Sequence, residues 1–128
     1  MAYEGIGADW TFNASADLST KQYRVVKLHS DGTIVVSSQG TNALDQLGIL
    51  QDKPAAAGRA CQVRLFGISK AVAGAAINPG ASVMADGNGA VIAATNGKMA
   101  LGIHIGTSAA ANNDIVPILL SGIFGAVV

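Results

Sequence analysis

Leu47 to Val72 read LGILQDKPAAAGRACQVRLFGISKAV, and Leu101 to Val127 read LGIHIGTSAAANNDIVPILLSGIFGAV. The two stretches share an order of parts. Each opens on Leu-Gly-Ile, passes through a loop of small residues, and ends in a longer apolar run with an internal glycine. Short apolar or alternating runs bounded by Gly, Pro and Asn are strand signals. The alanines of the loops favour helix, but the flanking Gly and Asn keep them to loops or a single turn. Gly48 and Gly102 lie 54 residues apart, and Ile68 and Ile123 lie 55 apart. A steady offset across a series of elements marks an internal repeat.

The pattern extends outward from these stretches. QYRVVKLHSDGTIVVSS, from Gln22, reads as a hairpin turning at Asp31-Gly32. INPGASVMADGNGAVIAA, from Ile77, reads as another, with Asp86-Gly87 at its turn 55 residues beyond the first. The repeat therefore covers approximately 18–70 and 77–125. CQVRLFGISKAV predicts a long strand, broken or bulged near Gly67. IVPILLSGIFGAVV is 14 residues long and holds Pro117, so it reads as strand plus tail. A membrane span needs about 20 residues. The predicted class is mainly β: a compact β-barrel or sandwich of two similar halves in one domain, 17–128. Residues 1–16 read as an extended N-terminal arm, with Gly5 and Gly7 and mixed polarity. Tyr3, Trp10 and Phe12 are its large side chains. They are candidate anchors on a neighbouring subunit, or Trp10 and Phe12 fold back as an edge strand.

Composition narrows the function. Eight basic and eight acidic residues cancel. This leaves no electrostatic footprint for nucleic acid or an anionic membrane, and little self-repulsion to oppose association. Seven of the eight basic residues lie between Lys21 and Lys70, whereas Ala71 to Val128 carry only Lys98, Asp86 and Asp114. Such a stretch is expected to hide its surface inside the domain or against other chains.

Reactive groups are scarce. Cys61 is the single cysteine, and its strand setting predicts an inert buried thiol. His29 sits beside a turn and reads as a solvated strand end. His104 alternates with Ile103 and Ile105 and so faces away from them, exposed or hydrogen-bonded at an interface. The chain has no G-x-S-x-G elbow and no phosphate loop. Asp31 and Asp86 are turn residues for backbone reasons. The reading is a non-enzyme with no catalytic, metal or cofactor residues. A β-sandwich module for carbohydrate or another small ligand is the alternative.

ADLSTKQYRVVKLHSDGTIVV from Ala16, the long central stretch from Leu47 through the Asp86 turn, and the closing DIVPILL resemble bacteriophage capsid cement, or decoration, proteins. The resemblance covers roughly residues 16 to 120. It implies a small β-rich protein, made in the host cytoplasm, that binds the outer surface of a phage head. There it would clamp neighbouring copies of the major capsid protein. A homo-oligomer is expected on the shell, a trimer before a dimer, because capsid three-fold positions offer matching symmetry. An arm without core contacts would be removable, so deleting residues 1–12 is expected to leave the domain folded and weaken attachment.

Overall fold

A computed structural model describes residues 7–37, 46–95 and 99–120. These form nine strands: β1 (Gly7–Ala14), β2 (Val25–Leu28), β3 (Thr33–Val36), β4 (Gly48–Leu50), β5 (Ala60–Val72), β6 (Ser82–Ala85), β7 (Val91–Ala93), β8 (Gly102–His104) and β9 (Ile115–Leu120). No helix occurs among the described residues, and the fold is mainly β, as the alternation predicted.

The strand order is β1-β3-β2-β4-β5-β9-β8-β6-β7, with an added pairing of β1 to β5. That pairing returns the first five strands to their start. β1 runs parallel to β3 and antiparallel to β5, from Gly7 opposite Gly67 to Asn13 opposite Ala60. β5 then continues past Gly67 and pairs antiparallel with β9. Just beyond its end, Ala73 bridges Val91 of β7 in parallel. Strands β5, β7, β6, β8 and β9 thus close a second circuit on the plan of the first. β5 is the last strand of one and the first strand of the other.

The correspondence holds pair by pair. Ala14 opposite Ile34 matches Ala73 opposite Val91. Val26 with Val36 and Gly48 matches Val83 with Ala93 and Gly102. Leu50 opposite Val63 matches His104 opposite Ile118. The offset is not constant. It is 59 from β1 to β5, 57 for the hairpins, and 54 from β4 to β8. One consequence corrects the alignment of the two turns. Gly32 has φ 85°, and its counterpart is Gly89 at φ 78°, two residues later than Gly87. The N–H of Gly32 donates to His29 O and that of Gly89 to Asp86 O. Aspartate works locally in both turns. Asp31 Oδ1 accepts the Thr33 N–H and hydroxyl, which hold its carboxyl below the usual range, hydroxyl first. Asp86 Oδ1 accepts the N–H groups of Asn88 and Ala90.

The 1–16 segment, read as an arm, is described from Gly7 onward, and there it is β1 in the sheet. Alternate side chains of a strand face opposite ways, so Phe12 and Ala14 point inward with Cys61 and Val63 of β5. They join a core of Leu18, Val26, Ile34 and Leu50. The second core gathers Ala71, Ala73, Ile77, Val83, Val91, Val116, Ile118 and Leu120, and also takes Val25 and Ile49 from the first circuit. Polar groups tie the circuits together. Buried Gln46 donates to Met99 O and accepts the Ala85 N–H, and the Val25 N–H donates to Gly89 O. A buried amide satisfied on both sides fixes one geometry without the cost of an orphaned group.

Candidate interaction surface

Three elements decide what this protein can present: the inner residues, which are closed to partners, the loops, and the outer strand faces. Cys61 belongs to the first group. It is buried, and its thiol donates to Phe12 O at 3.4 Å. Burial first, and then the Asp52 charge, push its pKa up to about 11. The thiol is therefore a packing group. Two outcomes are expected. Iodoacetamide at pH 8 should label it only after unfolding. Stability should also fall as pH rises from about 9 towards 11, because there the unfolded thiol has lost a proton that the folded one keeps. Fast labelling of the native protein would contradict the burial.

His104 corrects an expectation. It does face away from Ile103 and Ile105, but the isoleucines are the exposed pair and the imidazole is buried. The repeat explains the direction: His104 stands where Leu50 stands in the first circuit, pointing into the core. Its Nδ1 finds no hydrogen-bond partner. It lines a cleft of about 200 Å³ with Gly106, Thr107, Asp114 and Pro117. The cleft exists because of a paired change between the repeats. In the first circuit Asp52 Oδ2 accepts the Gln62 N–H at 3.1 Å. In the second, the strand position holds Pro117, which has no N–H, and the loop position holds Gly106, where a Cβ would come within 2.6 Å of His104 Nε2. Leaving a buried polar atom unpaired costs about 1–3 kcal/mol. His104→Leu is expected to raise stability by about 1 kcal/mol in urea titration. A lower midpoint would mean that the imidazole is satisfied after all.

Among the described residues no group of three or more His, Cys, Asp or Glu could hold a metal ion. What the surface offers instead is apolar. Trp10 is 65% exposed, and Phe66, Ile103, Ile105, Ile115, Leu119 and Leu28 are exposed as well. Of the three candidate anchors, Trp10 projects from β1, Phe12 is half-buried on the first core, and Tyr3 lies outside the described residues. The arrangement brings Trp10 and Phe12 onto one side of β1, opposite Val63 and Cys61. The exposed aliphatic residues of β8 and β9 were not singled out from the sequence. Their signal was the near absence of charge after Lys70.

A doubled β plan of zero net charge, with exposed apolar side chains and no metal-binding cluster among the described residues, has the character of an assembly component. The family model for phage cement proteins matches residues 5–121. The chain belongs to the phage cement protein family. Its role is accordingly structural and capsid-associated, and its place is the virion. The cement fold is also seen in a solved structure, the N base of head fiber gp8.5 of bacteriophage phi29. That structure is 16% identical, with a TM-score of 0.65 over 94% of this chain and 99% of the other. At that identity the likeness concerns the fold. No curated protein matches the sequence.

Proposed function

We propose that this cement protein decorates the outer surface of a phage head and stabilises contacts between major capsid subunits, without catalysis. The match to the cement family across residues 5–121 carries this reading. The exposed apolar side chains support it, since a soluble monomer seldom leaves many of them together without a partner. The partner is the major capsid protein, and the chain associates with itself, a trimer suiting three-fold positions of a shell. Synthesis is in the host cytoplasm. The closed circuits joined through β5 support treating the chain as one β domain built on a doubled plan. Tyr3, Trp10 and Phe12 are its proposed anchors. The test is addition of the purified protein to heads that lack it. The protein should sediment with the heads and raise the temperature at which they release their contents. Heads that neither bind it nor gain resistance would overturn the reading.

A further inference from the structure

The two circuits are built alike, but their outer faces fare differently. On the first, the outward side chains of β2 and β4 include Val25 and Ile49, opposite each other in the ladder. Both are fully buried, and both belong to the hydrophobic cluster of the second circuit. Gln51, next on that side, donates its Nε2 to Ser69 Oγ of β5 at 2.9 Å. The first circuit's outer face is therefore covered by the second, whose opening strand presents the buried Ser69 and Ala71.

On the second circuit, Ser82 and Ile103 match Val25 and Ile49, again opposite each other. Here Ser82 is exposed, Ile103 is 40% exposed, and so is Leu119, its partner across β9. Ile105, which matches Gln51, is exposed too. None of these four carries a charge, and each keeps more than a third of its surface exposed. By the same geometry, their cover would be the opening strand of another circuit. The positions matching Ser69 and Ala71 are known from the ladders. Trp10 stands opposite Val63 as Ser69 stands opposite Ile118, and Phe12 opposite Cys61 as Ala71 opposite Val116. The chain thus carries both sides of a contact that it already makes internally, one at each end, with Trp10 65% exposed and Phe12 half-buried on the β1 side.

We propose that the Ser82–Ile103–Leu119 face of one copy packs on β1 of the next copy, against Trp10, repeating between chains the contact that joins the two circuits within a chain. This rests on the self-association proposed above and gives it a location and a direction. The two surfaces differ, so the contact is head-to-tail rather than a two-fold pair, and it builds a ring where its rotation closes and a filament where it does not. A net charge of zero leaves no repulsion between copies to oppose it. An indole at the centre of an apolar contact is the kind of anchor that dominates association energies.

The test uses the full chain in solution, without capsids. Light scattering coupled to gel filtration at tens of micromolar should show an oligomer. Trp10→Asp and Ile103→Asp alter exposed side chains, so melting should confirm that both fold. Each should weaken self-association at least about 30-fold. Mixing the two variants should restore a complex, because one keeps its β1 surface and the other its β8–β9 face. Leu28→Asp, at an exposed site on neither surface, should associate like the parent. A monomeric parent, folded variants that associate normally, or a mixture that stays monomeric would each overturn the proposal. Co-sedimentation with heads is scored separately. A parent that is monomeric in solution yet binds heads sinks this inference and leaves the capsid role standing.

Discussion

Gly48→Ala and Gly102→Ala are each expected to destabilise the protein by about 3 kcal/mol or more. Overpacking a well-filled interior commonly costs about 1–3 kcal/mol, and more when nothing can yield. Here nothing flexible is in the way. A Cβ at Gly48 would run into the carbonyl oxygen of Arg64, and one at Gly102 into that of Leu119. Both obstacles are backbone atoms of a paired strand, and both strands are held by further pairings. The same glycine meets the same obstacle at matching points of the two circuits. This is the physical content of the repeated Leu-Gly-Ile: a short strand crosses so close to the next that only hydrogen fits between them. Urea unfolding of the two variants decides the matter. An alanine tolerated at either site within about 0.5 kcal/mol would show that the strands can separate there without loss.

Removal of residues 1–12 is expected to have the other large effect, lowering stability by more than about 3 kcal/mol. Six of the seven residue pairs between β1 and β5 would go. With them would go the half-buried Phe12, the Asp9–Arg64 ion pair at 2.7 Å and the Thr11–Gln62 hydrogen bond. The ion pair is partly exposed and contributes little. The main loss is the strand itself, since β5 would be left with an open edge over the first core, and only Asn13 and Ala14 would remain to pair with β3. Thermal melting of the truncated chain is the measurement. An unchanged transition would mean that β1 is dispensable, and it would restore the reading of residues 1–16 as an arm.

That reading shows where sequence inspection stopped. Trp10, Phe12 and Ala14 occupy every second position of β1, which is a strand signal. The edge-strand alternative for Trp10 and Phe12 rests on that signal, and the arm reading rests on Gly5 and Gly7 and the polar residues between. The hairpins were legible because Asp-Gly punctuates alternating runs, and Cys61 was legible because it sits in one. The burial of His104 was readable only by setting LGIH against LGIL, where histidine takes the place of Leu50. Local pattern argued against it, since two isoleucines flanking a histidine would be expected to take the inward side and leave the imidazole outside. The shared role of β5 left only the break read near Gly67, where its pairing passes from β1 to β9. Its partners, β1 and β9, are contributed by opposite ends of the chain, and pairing between distant segments is decided by packing rather than by any one stretch of residues.

The sharing of β5 also imposes an order on synthesis. Every strand of the first circuit has left the ribosome once Val72 has, whereas the second waits for Leu120, the last residue of β9. At translation rates of about 5–20 residues per second, the interval lasts roughly 2–10 s. During it the nascent chain can hold a finished half whose Val25 and Ile49 have nothing to cover them, and a β5 whose far end has no neighbour. A crowd of such chains on one message would bring these surfaces together before each is complete. The sequence between Ala73 and Leu120 carries only Asp86, Lys98 and Asp114 as charges, so little in it slows such encounters. Slow completion of β9 would lengthen the time for which these surfaces stay uncovered.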